Sequence, residues 1–210
     1  FLDQARLRLR RFCQALRAAA GAGHFDQAAA EIGFGPAPQD PLQPFTIKLP
    51  GGELRIEGKI DRIDTCQRDG RLGLCVIDYK STKRTFPFGR FYHGLELQLL
   101  SYLLVLIEGY RTAGQEAEPA GALYLPILPE VTSHDALPPA EVLAGTGPAE
   151  EAAVRASGLL SSAWLAGFDG GVGAGGKSVH YGFGYKKSGE LNQALSRGVV
   201  SPTEMKTLLG

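Results

Sequence analysis

The sequence has no apolar run approaching the roughly 20 residues that a membrane-spanning helix needs. No membrane contact is expected. Cysteine is scarce: Cys13, Cys66 and Cys75 are an odd number at scattered spacings without a C-x-x-C pair, so neither a disulfide framework nor a zinc site is indicated. A reducing, cytoplasmic setting suits them. Excess charge is absent too, since 22 Lys and Arg balance 22 Asp and Glu. The whole-chain basic footprint common among nucleic-acid binders is therefore missing, and any contact with DNA has to rest on local patches. The chain opens on Phe1, without an initiating Met and without the basic and apolar regions of a signal peptide. It is expected to be a piece of a longer polypeptide. What is present, 210 residues of which 44% are hydrophobic, suffices for one domain with its own core.

The most informative stretch runs from Gly58 to Lys80. Two segments with the period-two patterning of strands are joined at Arg68-Asp69-Gly70-Arg71, which reads as a hairpin. In the second segment Leu72, Leu74, Val76, Asp78 and Lys80 share one face, because strand side chains alternate. A carboxylate and an ammonium closing an apolar strand cost desolvation energy unless something there uses them. Asp61, on the partner segment, can approach them. Two carboxylates brought that close repel each other, and a divalent cation relieves the repulsion. Taken alone, Asp61 would be read as an ion-pair partner of Lys59 or Arg62. Paired with Asp78-x-Lys80, it is a candidate metal ligand.

Gly58-Lys59-Ile60-Asp61-Arg62-Ile63-Asp64 and Val76-Ile77-Asp78-Tyr79-Lys80-Ser81 resemble the G-x-x-D and V-x-D-Y-K-S motifs of PD-(D/E)XK nucleases of the RecB type. Gln98 to Tyr102 is similar to the Gln-x-x-x-Tyr helix of that family, and Glu31-Ile32-Gly33-Phe34-Gly35 to an E-x-x-F-G stretch preceding the catalytic strands. In texture the chain is most similar to the C-terminal nuclease domain of helicase-exonuclease subunits of the AddB or RexB type. The resemblance covers about residues 31–102, with weaker echoes in Tyr185-Lys186-Lys187-Ser188-Gly189. It implies metal-dependent hydrolysis of DNA phosphodiesters by an exonuclease domain within a helicase-nuclease complex that repairs and recombines broken ends. Mg²⁺ or Mn²⁺ would be held by Asp61, Asp78 and the Tyr79 carbonyl, while Lys80 acts on the attacking water and Gln98 and Tyr102 stand beside it. The family often takes one more ligand from an upstream His in a G-x-x-x-H setting, which Ala20-Gly21-Ala22-Gly23-His24 does not reproduce. His24 is read as a surface residue, leaving Glu31 or a residue upstream as the alternatives. The family's iron-sulfur cluster uses a C-terminal group of three cysteines that this sequence lacks, so no cluster is expected in this fragment.

Around this centre, residues 1–20 have apolar positions Leu2, Ala5, Leu9, Phe12, Cys13 and Leu16 at helical spacing, with arginines on the other face. Phe34 to Pro44 reads as loop, and Phe45 to Leu49 as a strand turned by Pro50-Gly51-Gly52 into a catalytic segment that begins at Glu53. The alternation slips at Ile63, marking a bulge or the strand end. After Lys80, basic and aromatic residues interleave, and Lys83, Arg84, Arg90 and Tyr92 are candidate contacts to a single DNA strand. Leu95 to Ile107 reads as a buried helix, Ala120 to Leu128 as a strand, Pro148 to Ala166 as a second long helix. Ser201-Pro202-Thr203-Glu204 is the capping box of a terminal helix.

Gly171 to Ser178 fits the phosphate-binding pattern G-x-x-x-x-G-K-S letter for letter. A phosphate-binding loop needs a buried strand before it and a helix after it. Neither is read here, and a glycine-rich surface loop is expected. The reading as a whole is an α/β domain over 1–210. A central mixed sheet from the Phe45, Glu53, Leu72 and Ala120 segments is flanked by helices, with a core at about 31–128 and a helical, glycine-rich extension at about 148–210. A nuclease fold kept for scaffolding is the other class considered, a nucleotide-binding protein the third.

Overall fold

The computed structural model describes residues 2–81, 97–127 and 154–209, with the side chains of residues 2–4, 7 and 8 excluded. Helix α1 (Leu2–Ala22) leads into strand β1 (Asp26–Phe34), followed by β2 (Phe45–Leu49), β3 (Gly52–Ile56), β4 (Gly58–Arg68) and β5 (Arg71–Lys80). Helix α2 (Gln98–Thr112) precedes β6 (Glu118–Pro126), then β7 (Ser157–Ser161), the short α3 (Leu165–Phe168), β8 (Val199–Val200) and α4 (Pro202–Leu209). None of the described helices is long and apolar enough to cross a membrane.

Six strands form one mixed sheet in the order β1-β4-β5-β6-β7-β8. The β4–β5 hairpin closes as the alternation requires: Asp69 (φ 53°) and Gly70 (φ 73°) both take left-handed backbone, the tight turn whose twist matches its strands. Strands β5 and β6 are parallel, which demands a crossover, and α2 lies within it. Two cores result. Leu72, Leu74 and Val76 of β5 pack with Leu99, Leu103 and Leu106 of α2 and Met205 of α4, while Cys75, Ile77 and Tyr79 pack on the other face with Phe12 of α1 and Phe168 of α3. A strand buried on both faces therefore presents Asp78 and Lys80 toward α2 and Tyr79 toward α1.

Several expectations need correction. The Phe45 and Glu53 strands are not part of the central sheet but form a separate two-stranded hairpin. Phe45 and Ile56 dock that hairpin on the first core, while Ile47, Leu49 and Leu54 stay exposed. Their place in the sheet is taken by β1, which includes Glu31 and Phe34. The catalytic segment begins at Gly58, after a break at Glu57. Ile63 is no strand end, since β4 continues to Arg68. Ile63 packs in the same core as Ile60, so alternation is interrupted between them. Within 148–166, residues 154–156 are irregular and 157–161 are β7 rather than helix. Leu159 and Leu160 are buried in opposite cores, and that double burial mimics an apolar helix segment. On α1, Leu9 and Cys13 are exposed; the packed face is Phe12, Ala15 and Leu16. Helix α2 begins at Gln98 and extends to Thr112, beyond the expected end.

The capping box forms as expected. Ser201 Oγ accepts from the Glu204 amide at 3.2 Å, and Glu204 Oε2 accepts from the Ser201 amide at 2.7 Å. At the other end of the first core, the Phe34 ring is set edge-on to Tyr102 with centroids 5.6 Å apart. Gly58 lies against both, and a Cβ there would stand 2.9 Å from Phe34 Cζ and 3.6 Å from Tyr102 Cε1. Phe34 is buried and has nowhere to retreat. Gly58→Ala is expected to destabilise the chain by about 1–3 kcal/mol through overpacking. A denaturant midpoint equal to that of the parent chain would contradict this packing.

Candidate active site

The site lies where the sheet divides. The ladder between β4 and β5 runs up to Arg62 opposite Ile77 and goes no further. Beyond that pair β4 continues against β1, through Ile32↔Ile60 to Phe34↔Gly58, and β5 continues against β6, through Asp78↔Tyr124 to Lys80↔Pro126. The next facing positions across the gap are Asp61 and Asp78. Freed from the ladder, the Tyr79 N–H donates to Asp61 Oδ2 at 2.9 Å. A carboxylate has taken over a backbone acceptor's role, so Asp61 is fixed in place by the strand that carries Asp78.

Asp78 is 3% exposed, and its Oδ2 lies 2.5 Å from Lys80 Nζ. Lys80 Nζ also donates to Gln98 Oε1 at 3.2 Å and sits 5.1 Å from the centroid of the buried Tyr124 ring. Gln98 Nε2 in turn donates to the Tyr102 hydroxyl at 2.9 Å, one turn along α2. The ammonium is thus steered from three directions, by a carboxylate, an amide and a ring face. The two cations expected to compete for Asp61 have other partners: Lys59 pairs with Glu31, and Arg62 with Asp64.

The structure brings Asp61, Asp78, Tyr79, Lys80, Gln98 and Tyr102 together through these contacts. Glu31 stands across from Asp61 in the register, since Ala30 pairs with Arg62 and Ile32 with Ile60. Its backbone has φ 58°, a left-handed conformation costly for a residue other than glycine, and its carboxylate is engaged by Lys59. His24 is exposed and donates its backbone N–H to Gly167. Lys83, Arg84, Arg90 and Tyr92 lie outside the described residues. The sequence reading missed Phe34 and Tyr124 as walls of the site, and the pairing of Arg62 with Asp64, although the R-x-D spacing on a strand could have revealed the last.

Two carboxylates and an adjacent backbone carbonyl are hard oxygen donors of the kind that Mg²⁺ and Mn²⁺ take. The Lys80 ammonium stands against Asp78, so that carboxylate already has a cation beside it. Among the described residues no group of three or more His, Cys, Asp or Glu side chains is placed to hold a metal ion. A cation would draw the rest of its shell from the Tyr79 carbonyl, water and substrate oxygens, as Mg²⁺ commonly does.

The glycine-rich segment is not a phosphate cradle. The Gly171 N–H donates to Asp169 Oδ1, that of Gly175 to Lys186 O, that of Gly176 to Gly173 O and that of Ser178 to Phe183 O. The Ser178 hydroxyl, buried, donates to Asp169 Oδ2 at 2.8 Å. Four amides of the segment are thus engaged internally, and an antiparallel bridge from Lys177 to Gly184 follows instead of the helix that a phosphate cradle needs.

A sequence model of the PD-(D/E)XK nuclease superfamily matches residues 1–168. A subunit of an ATP-dependent helicase/deoxyribonuclease from Symbiobacterium thermophilum is 43% identical over 143 residues, 66% of this chain and 12% of the relative. The subunit of the same name from Desulforudis audaxviator is 35% identical over 188 residues, 88% of this chain and 15% of the relative. The chain thus spans a small part of the length of these relatives.

Proposed function

The chain belongs to the PD-(D/E)XK nuclease superfamily, and from that premise we propose that it is a divalent-metal-dependent deoxyribonuclease domain of a helicase-nuclease subunit. The observation that carries the reading is the fork itself, where the Asp61 carboxylate is held by the amide of Tyr79, next in chain to Asp78, and Asp78 is paired with a lysine held by Gln98. Asp61, Asp78 and the Tyr79 carbonyl would hold Mg²⁺ or Mn²⁺. When bound, the ion supplies a Lewis acid that polarises the scissile phosphate and lowers the pKa of a water. Lys80 orients the attacking water and offsets negative charge that develops on the phosphate in the transition state. Gln98 keeps Lys80 in the cleft, and Tyr102 fixes which way the Gln98 amide points by accepting from its NH₂. That arrangement leaves the ammonium free to exchange Asp78 for a substrate oxygen without leaving the site.

The relatives' name, which joins helicase and deoxyribonuclease and describes one subunit of the assembly, supports a DNA substrate and a further subunit as partner. Exonucleolytic trimming of an unwound end during break repair and recombination is the setting we infer. An intact ammonium-carboxylate geometry at the fork favours catalysis over a scaffold role, and the engaged glycine-rich loop speaks against nucleotide binding.

The two roles assigned to neighbouring residues on β5 should fail differently. Asp78→Ala removes a ligand, so calorimetric Mn²⁺ binding and cleavage of single-stranded DNA should both be abolished. Lys80→Ala leaves the ligands and removes a competing cation, so Mn²⁺ binding should persist or tighten while cleavage falls on the order of a hundredfold. Wild-type cleavage by both variants would defeat the assignment. Loss of metal and cleavage together in Lys80→Ala would make the lysine a structural partner of the carboxylates.

Lys83, Arg84, Arg90 and Tyr92 are proposed to hold the incoming strand, on the interleaving of cations and rings in the sequence. Replacing the three cations by Ala should weaken single-strand binding and flatten its salt dependence, because fewer counterions are released. An unchanged salt slope would assign them to solvent.

A further inference from the structure

Behind the fork, on the face of the sheet turned away from Asp61 and Asp78, lies a charged pair in a core. Arg62 donates from Nε and Nη2 to the two oxygens of Asp64 at 2.6 and 2.8 Å, and both side chains are almost wholly shielded from solvent. Arg62 Nη1 reaches the Tyr79 hydroxyl at 3.4 Å, and the Tyr79 ring packs edge-on against Phe12 of α1 at 6.1 Å. Burial pushes the Asp64 carboxyl up from its ordinary range against the pull of Arg62. Arginine does not discharge in compensation, so the desolvation cost stands. A buried pair of this kind is often replaceable by apolar side chains without loss of stability, and stability alone does not account for it.

Its position offers an account. Arg62 is the last residue of β4 to pair with β5, and its side chain continues across to β5 beyond that point, on the far face. Asp61 makes the corresponding reach on the near face, to the amide of the same Tyr79. Past the end of the ladder, β4 and β5 are thus tied on both faces of the sheet, and these two ties end on Tyr79. Asp64 locks the Arg62 guanidinium in the orientation that makes the far tie possible.

We propose that Arg62, held by Asp64, is a positioning residue that sets the separation of the Asp61 and Asp78 carboxylates through Tyr79, and with it the affinity of the metal site. The proposal rests on the reading of those two carboxylates as ligands. Outer-shell groups of this kind commonly alter metal affinity by about 10–100-fold when removed.

The test replaces the pair by apolar side chains of similar volume, Arg62→Met with Asp64→Leu, so that neither charge is left buried alone. The expected result is a melting temperature close to that of the parent chain, a Mn²⁺ affinity at least about tenfold weaker by calorimetry, and a fall in kcat with little change in KM for single-stranded DNA. Parent-like Mn²⁺ affinity and kcat in the folded double variant would overturn the proposal. If the double variant does not fold, Tyr79→Phe decides. It deletes only the hydroxyl that Arg62 reaches; weakened Mn²⁺ binding at unchanged melting temperature supports the tie, and parent-like binding overturns it. Asp78→Ala, measured alongside, separates the two levels. Undiminished Mn²⁺ binding in that variant would sink the ligand reading itself, whereas its loss beside an unaffected double variant would sink only the positioning role.

Discussion

The structure depends on one geometric constraint: β4 and β5 stop pairing after Arg62 and Ile77, and each continues with its other neighbour. A backbone N–H freed from a ladder inside a protein must find another acceptor, because leaving it unmet costs about as much as a lost hydrogen bond. Asp61 provides that acceptor for Tyr79. The same contact that completes the backbone's hydrogen bonding also brings a second carboxylate to the mouth of the fork. Fold and site are in this sense a single problem with one solution.

The surroundings of the fork follow from alternation along β5. Because the strand is buried on both faces, Asp78 and Lys80 open toward α2, where Gln98 meets Lys80 and is itself held by Tyr102, and Tyr79 opens toward α1. Phe34 connects this arrangement to β1, standing against Gly58 and Tyr102 together. Three short sequence stretches, distant in the chain, thus share one cluster of contacts. The fork is built from backbone register first and from side-chain chemistry second.

That order explains how much of the fold is legible in the amino-acid sequence. The β4–β5 hairpin, its turn at Asp69-Gly70, the face shared by Asp78 and Lys80, the Gln98–Tyr102 pair and the capping box at Ser201 are all local: each follows from spacings of two, three or four residues. Strand β1 escaped because Asp26–Phe34 is alanine-rich and largely exposed, with weak β-propensity and no clean alternation. Strand β7 escaped because a pair of leucines buried in opposite cores carries no helix-versus-strand signal. The separation of β2 and β3 from the main sheet is a matter of long-range register, which local spacing does not encode. Likewise the pairing of Lys59 with Glu31, and so its release of Asp61, is decided across strands.

The central claim is that Asp61 and Asp78 face each other in order to share a divalent cation. Its most direct test is diffraction from crystals soaked in Mn²⁺, with data collected to reveal the anomalous signal of manganese. The account predicts one peak or more within coordination distance of both carboxylates and the Tyr79 carbonyl, with Lys80 Nζ displaced from Asp78. Crystals that take up Mn²⁺ elsewhere, or none at all, while the Lys80 to Asp78 contact persists would contradict it.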